Sequence, residues 1–242
     1  MDELYITCIV PLYNESLRFA RGIEGIHSYL ESAGRSYELL IVNDGSTDDT
    51  AALAERFAKD KPAVRVLGYS PNRGKGFAIR TGVKEARGRI VFFTDIDLSV
   101  PIDALENFLA LLEAGEKVVV GTRTISKSMV AVHQSWHREA MGVVFRRMSS
   151  CFFVPYVTDF TCGFKALRKE AAKEIFKRCT VDGWSFDTEA LYIAHLLGYR
   201  IHEVPVVWRD DKRTKVRLGK AVASSIRDLI RIKSNERRGL YR

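Results

Sequence analysis

The sequence predicts an α/β fold: a doubly wound, mainly parallel sheet with helices on both faces. Short apolar runs alternate with stretches of helical periodicity in the first half of the chain, and turn or polar residues follow them. Strands separated by single helices pair in parallel through right-handed crossovers. The length of 242 residues suits one large domain of this kind, with or without a short appendage.

Five strands and four helices are expected in the first half. The expected strands cover residues 4–10, 37–42, 64–68, 89–94 and 117–121. The expected helices cover residues 17–33, 75–86 and 103–113, and a further helix follows a sequence like a capping box at 46–49. Ligands of such sheets bind beyond the carboxyl ends of the strands. We therefore interpret residues 1–122 as a nucleotide-binding half.

The second half has a less regular pattern. Helical periodicity covers residues 135–150, 169–178 and 188–197, and alternation over 200–208 indicates a strand. A final helix carries one apolar stripe, which consists of Leu218, Val222, Ile226, Leu229 and Ile230. We expect one domain over residues 1–217 and a basic amphipathic helix over 218–242.

Positive charge is concentrated at the C-terminal end. The formal net charge is +8, and residues 209–242 alone contain 12 Lys or Arg and 4 Asp or Glu, so the rest of the chain is neutral. This distribution predicts an anionic partner, either membrane lipid, an acceptor phosphate or nucleic acid. Nucleic acid is the least favoured, because Trp208 and Tyr241 are too few aromatic residues for a base-stacking platform. A non-enzymatic basic binding protein is a remote alternative.

Composition and motif spacing favour a cytoplasmic protein. No apolar run approaches the roughly 18 residues of a membrane-spanning helix, and no signal peptide is recognisable. The four cysteines form no Cys-x-x-Cys pair and are expected to be reduced core thiols. His133 and His137 are interpreted as a surface pair rather than as zinc ligands.

Two carboxylates follow the fourth expected strand. Asp95 and Asp97 are one residue apart, so they can face one hard cation together with diphosphate oxygens. Mg²⁺ and Mn²⁺ prefer such oxygen ligands. An isolated Asp-x-Asp sequence is more often an exposed turn, but its place at a strand end in this order of elements predicts a divalent metal site.

Two further polar sequences fall at the same edge of the sheet. Asp44 could accept a hydrogen bond from a base or ribose, or could simply belong to the turn at Gly45. Residues 72–76 contain two glycines before a helix, and a helix N-terminus favours anions. Their spacing is not that of a phosphate-binding loop of NTPases, and no Gly-x-Gly-x-x-Gly follows the first strand. A dinucleotide-dependent dehydrogenase is therefore disfavoured.

Four short sequences occur in an order typical of one enzyme family. They are IVPLYNE at 9–15, VNDGSTD at 42–48, NRGKG at 72–76 and TDID at 94–97. In this order they resemble the family 2 glycosyltransferases of the GT-A fold. DFTCGFK at 159–165 and WSFDTE at 184–189 are similar, more narrowly, to the dolichyl-phosphate glucosyltransferases and their mannosyl relatives.

The resemblance implies a metal-dependent, inverting transfer of a hexose to a polyprenyl phosphate. The donor would be UDP-glucose, with GDP-mannose as the alternative. The resemblance assigns donor binding to Pro11, Tyr13, Asn14, Glu15, Asp44, Asn72 and Lys75. It also implies that Asp97 is the main ligand of Mg²⁺ or Mn²⁺ and that Asp95 lies near the ribose and the metal.

The acceptor side of the reaction requires positive charge. A phosphate is already largely ionised at neutral pH, so it needs cations to hold it in line more than it needs a strong base. Arg123 and, in a segment that resembles the acceptor loop of the family, Lys215 and Arg217 are the candidates. Lys215 and Arg217 could also belong to a solvated basic face.

The sugar pocket is assigned by resemblance to residues of the second half. Asp159 and Gly163 would shape it. Asp187 or Glu189 would bind sugar hydroxyls or act as a base toward a hydroxyl acceptor, and Asp187 could instead cap a helix.

Two alternatives for the acceptor and two for the last helix stay open. The acceptor could be a hydroxyl of a polysaccharide or small glycoside instead of a lipid phosphate. The last helix could lie on the cytoplasmic face of a membrane, with a membrane-protein partner as a further possibility, or could pack with its stripe on the domain.

A sugar nucleotidylyltransferase is disfavoured, because residues 11–15 are not a glycine-rich loop.

Overall fold

The computed structural model describes residues 4–123, 130–132, 152–209 and 218–242, with side chains except at 130–132 and 218–223. The expected helix at 135–150, the pair His133 and His137, and the acceptor candidates Lys215 and Arg217 lie outside the described residues.

A seven-stranded sheet forms the centre of the fold. Its strands are β1 (Ile6–Leu12), β2 (Tyr37–Asp44), β3 (Val64–Tyr69), β4 (Ile90–Phe93), β5 (Val118–Thr122), β7 (Lys165–Arg168) and β8 (Ile201–Pro205). They follow the order β3-β2-β1-β4-β7-β5-β8, and a separate pair joins β6 (Val130–Val132) to β9 (Trp208–Arg209). All sheet neighbours are parallel except β7, which runs antiparallel to both β4 and β5. The predicted doubly wound, mainly parallel sheet is confirmed.

Helices cover both faces of the sheet. They are α1 (Ser16–Ser32), α2 (Thr50–Ala58), α3 (Lys75–Glu85), α4 (Leu105–Glu113), α5 (Lys169–Arg178), α6 (Phe186–Leu196) and α7 (Leu218–Arg237), with a short 3-10 turn at Ile102–Ala104. One apolar cluster joins α1, α2 and α4 to one face, and another joins α3, α5, α6 and α7 to the other. Strands β1, β2, β4 and β5 are buried almost throughout, which explains their nearly continuous apolar sequences.

The antiparallel strand β7 lies between β4 and β5. Because it comes from the second half of the chain, the two predicted halves, 1–122 and 123–217, contribute to one sheet. Cys8, Cys162 and Cys179 are buried and free, as expected of core thiols.

The last helix packs on the domain along one side, as far as its side chains are described (residues 224–237). Leu229 and Ile232 are buried, whereas Ile226 is 47% and Ile230 is 67% exposed. Among the residues of the expected stripe whose side chains are described, only Leu229 is buried, and the buried line runs through Leu229, Ile232 and Asn235. Among the described residues, no helix has the length and apolarity needed to span a bilayer.

Candidate functional site

The loops after β1 and β2 are joined by hydrogen bonds at the carboxyl edge of the sheet. The Asn14 side-chain oxygen accepts a hydrogen bond of 2.7 Å from the Thr47 amide, and the Asn14 amide donates to the Ser46 hydroxyl at 2.9 Å. The Glu15 amide donates to Thr50. These contacts bring the first expected donor-binding sequence beside Asp44.

Asp44 organises the loop at residues 72–74. Its buried carboxylate accepts hydrogen bonds from the Asn72 side chain at 2.7 Å and from the amides of Arg73 at 2.8 Å and Gly74 at 2.9 Å. Gly74 lies at the N-terminus of α3. Its φ of 108° is a backbone conformation that favours glycine over other residues. Because these bonds engage both carboxylate oxygens, Asp44 supports the loop in this structure, and a role in contacting the base stays a prediction.

Lys75 and Asp95 form an ion pair of 2.6 Å across this edge. Burial disfavours the charged ammonium, but the attraction of Asp95 and Asp187 outweighs it and raises the pKa of Lys75. Gly163 lies against both side chains. The structure thus brings Lys75, Asp95 and Gly163 together, although they come from three separate sequence motifs.

Asp97 lies beside Asp95 in a partly buried position. Burial and the neighbouring charge of Asp95 raise the pKa of Asp97, while the Ser99 amide donates a hydrogen bond of 2.9 Å to it. A bound divalent cation would relieve both unfavourable effects, so the pair fits a Mg²⁺ or Mn²⁺ ion chemically. Within the described residues, no three His, Cys, Asp or Glu side chains form a metal-holding group.

Asp187 is held by a lysine that the sequence analysis did not single out. Lys165 is 2% exposed and donates to the Asp187 carboxylate at 2.6 Å. Burial raises the pKa of Asp187 and outweighs the opposing effects of Lys165 and Lys75. Lys165 ends the motif at 159–165 and Asp187 lies in the motif at 184–189, but neither motif identifies their pairing. In this structure Asp187 is a buried partner of Lys165 and also attracts Lys75, which pairs with Asp95.

Arg123 is oriented by Asp159. The fully buried Asp159 carboxylate accepts from the Arg123 guanidinium at 2.6 and 2.8 Å and from its backbone amide at 3.1 Å. Burial disfavours the charged guanidinium, but the attraction and hydrogen bonds of Asp159 outweigh it and raise the pKa of Arg123. Arg123 also lies over the Trp208 ring, 5.7 Å from its centroid. Asp159 therefore orients Arg123, and its place in the sugar pocket stays a prediction.

Glu189 occupies a different place from the one expected. It is fully buried, and its two oxygens accept hydrogen bonds from Thr180, Val181 and Tyr241. It therefore presents no surface to a sugar in this structure.

Two aromatic residues are exposed near the carboxyl edge. Tyr13 follows β1 and is 43% exposed, while Pro11 lies within the strand itself. Trp184 is 53% exposed, and the Lys75 ammonium lies 5.6 Å from its ring centroid. Trp184 belongs to a recognised sequence motif but was not among the expected site residues.

This edge combines paired aspartates, a partly buried lysine and a loop at a helix N-terminus. Together with the doubly wound sheet, it defines an enzyme of the class that binds nucleotide-activated groups at a topological switch point. Residues 7–176 match the model of the family described as glycosyl transferase family 2, and the chain belongs to this family.

The chain is similar to several curated glucosyltransferases. A dolichyl-phosphate beta-glucosyltransferase of Trichomonas vaginalis is 31% identical over an alignment of length 250, which covers 99% of this chain and 74% of the relative. The human dolichyl-phosphate beta-glucosyltransferase is 31% identical over 226 residues, which cover 87% of this chain and 69% of the relative. These relatives confirm the resemblance drawn from the sequence motifs.

Solved structures share the fold. Glucosyl-3-phosphoglycerate synthase from Mycobacterium tuberculosis, in complex with Mn²⁺ and uridine diphosphate, superposes with a TM-score of 0.63 at 21% identity, over 95% of this chain and 80% of that chain. A mannosyltransferase from Pyrobaculum calidifontis, in complex with GDP-mannose and Mn²⁺, gives 0.60 at 21% identity, over 96% and 65% of the respective chains. The expected GT-A fold is confirmed.

Proposed function

We propose that this protein transfers glucose from UDP-glucose to a polyprenyl phosphate of the dolichyl type, with inversion at the sugar. The observation that carries the proposal is the 31% identity, over 99% of the chain, to a dolichyl-phosphate beta-glucosyltransferase. The motifs at 159–165 and 184–189 support the same substrate class. A hydroxyl acceptor is the competing proposal, and GDP-mannose the competing donor.

The donor would lie along the edge formed by Asp44, Lys75, Asp95 and Asp97. The 72–74 loop leads into the N-terminus of α3, where the positive end of the helix dipole and the Lys75 ammonium favour a diphosphate. Asp95 and Asp97 would hold Mg²⁺ or Mn²⁺, which would neutralise charge on the departing nucleoside diphosphate. In the transfer, an acceptor phosphate oxygen bonds to the anomeric carbon as the bond from that carbon to the diphosphate breaks.

Arg123 is the described residue that we propose for the acceptor phosphate. It follows β5 at the same edge, it is permanently charged, and its side chain is 21% exposed beside Asp159. Because Asp159 fixes the plane of the guanidinium, Arg123 could hold a phosphate in line with the sugar at little entropic cost. Lys215 and Arg217 remain predicted contributors to the same binding.

A transfer assay with labelled UDP-glucose and polyprenyl phosphate tests the activity. We expect label in the lipid phase only with a phosphate-bearing lipid, UDP-glucose and Mn²⁺ or Mg²⁺. Label on an alcohol or glycoside, with none in the lipid phase, would favour the hydroxyl acceptor. A thermal-shift comparison of UDP- and GDP-sugars, with and without Mn²⁺, would identify the donor.

The last helix offers a surface for a membrane. Ile226 and Ile230 are exposed beside Arg227 and Arg231, so apolar and basic groups occupy the same side of α7. We propose that this side lies on an anionic bilayer at the cytoplasmic face, where a lipid acceptor would be presented. A membrane-protein partner is expected on the same side.

Vesicle flotation tests this surface. We expect Ile226→Ser combined with Ile230→Ser to lower binding to vesicles of phosphatidylcholine and phosphatidylserine. Leu17→Ser is the matched control, because Leu17 is 87% exposed on α1. Equal flotation of the two variants would contradict the proposal.

A further inference from the structure

Glu189 is a fully buried carboxylate to which the proposed reaction gives no chemical role. One oxygen accepts from the Thr180 hydroxyl at 2.8 Å and from the Tyr241 hydroxyl at 2.5 Å. The other accepts from the backbone amides of Thr180 at 2.8 Å and Val181 at 2.7 Å. Glu189 thus holds the start of the segment that joins α5 to α6.

This segment, residues 180–185, packs directly on the proposed donor loop. The Asp182 carbonyl accepts a hydrogen bond of 3.2 Å from the Phe77 amide. A Cβ on Gly74 would come 2.5 Å from that carbonyl, and a Cβ on Gly76 would come 2.6 Å from the Val181 carbonyl. Because backbone meets backbone here, neither side can shift without moving the other.

Side chains join the same two elements. The Asp182 carboxylate forms ion pairs with Arg80 of α3 and, at 3.5 Å, with Arg73 of the donor loop. The segment also carries Trp184, whose ring faces Lys75. The position of residues 180–185 therefore influences Arg73 and Lys75 together.

The C-terminal part of the chain completes the network from the other side. Tyr241 is 1% exposed although it lies beyond α7, and Asn235 donates to both the Tyr241 hydroxyl at 3.2 Å and the Thr180 hydroxyl at 2.9 Å. Tyr241 therefore accepts from Asn235 and donates to Glu189. This continuous network connects α7 with the segment that supports the donor loop.

We propose that Glu189, held by Tyr241, is a positioning residue for the sugar-nucleotide donor, acting through residues 180–185 on the loop at 72–76. The C-terminal helix is then part of the donor site's support, as well as the proposed membrane-facing surface. This inference rests on the proposed function, in that it assumes a donor bound at the edge formed by Lys75 and Asp95.

Tyr241→Phe and Glu189→Gln test the inference. The phenylalanine keeps the ring but removes one hydrogen bond to a buried charge, while the glutamine directs an amide group at backbone donors. We expect Tyr241→Phe to raise both the donor KM and the Kd for UDP-glucose with Mn²⁺ by about tenfold. The KM for the lipid phosphate should stay within about twofold, because Arg123 lies on a different element. Glu189→Gln should have a larger effect in the same direction.

Glu38→Gln is the matched control for a general loss of stability. Glu38 is 3% exposed and accepts hydrogen bonds from Thr7, Arg65 and the Arg87 amide. We expect this variant to lower the Tm without changing the donor KM. If Tyr241→Phe lowers the Tm but leaves the donor KM and Kd at wild-type values, the inference is overturned while the proposed function stands. If the wild-type protein does not bind UDP-glucose, the proposed function fails, and the inference fails with it.

Discussion

Gly163 lies directly against the carboxylate of Asp95: a Cβ added to Gly163 would come 2.2 Å from Asp95 Oδ2 and 3.4 Å from the Lys75 ammonium. Side chains of this length can move aside, but only by breaking or re-orienting the ion pair between Lys75 and Asp95. The glycine therefore keeps a space in which these two charged groups can meet.

Gly163→Ala should reduce catalysis with little effect on folding. Displacement of Asp95 by roughly an ångström would misplace the proposed metal and donor, which lowers kcat/KM by about 10- to 100-fold. Steady-state kinetics with UDP-glucose would measure the loss. Gly68→Ala is the control, because the nearest atom to its added Cβ is an ordinary 3.7 Å away. Comparable losses in both variants would contradict a specific role for Gly163.

Asp97→Asn should abolish transfer while preserving the fold. The substitution removes a partly buried charge next to Asp95, so the apo protein is expected to be at least as thermally stable as the wild type. It also removes the main proposed metal ligand, so the stabilisation by UDP-glucose with Mn²⁺ should disappear. Thermal shifts and turnover, measured on the same samples, provide the check. Near-normal turnover with Mn²⁺ would eliminate the metal assignment.

The elements that the sequence predicted well are those with continuous buried patterns. Strands β1, β2, β4 and β5 are apolar runs between helices. Strand β2 pairs in parallel with both β1 and β3, as the alternation of strands and helices requires. Strand β7 has only four residues, and one of them is Lys165, so its sequence does not reveal the antiparallel insertion between β4 and β5. That insertion depends on packing between distant parts of the chain.

The edge of the site could be predicted, but the partners of its charged groups could not. Asp44, Asp95 and Asp97 follow strands that the pattern located. By contrast, Asp44 binds the Arg73 amide 29 residues away, Arg123 pairs with Asp159 across 36 residues, and Tyr241 reaches Glu189 across 52. No local pattern encodes such separations, so the sequence does not identify the groups that these carboxylates support.

Lys165→Met should destabilise the protein strongly. It leaves the Asp187 carboxylate buried without its 2.6 Å partner, and breaking a buried pair on one side typically costs about 3–5 kcal/mol in the free energy of unfolding. Urea unfolding would measure the change. The double variant Lys165→Met with Asp187→Leu should recover much of the loss, because no unpaired charge remains. No loss in the single variant would show that Asp187 is accommodated without Lys165.

Arg123→Lys should reduce transfer although it conserves the charge. A lysine cannot form the bidentate ion pair that Arg123 makes with Asp159. The positive charge would therefore no longer be held in a fixed orientation for the acceptor phosphate. We expect kcat/KM for polyprenyl phosphate to fall by about tenfold or more, with the donor Kd unchanged. Arg35→Lys is the matched control, because Arg35 makes a similar two-pronged contact with Glu106, at 2.7 and 2.9 Å, on an exposed surface. Equal kinetics for Arg123→Lys and Arg35→Lys would show that the geometry at Asp159 has no part in acceptor binding.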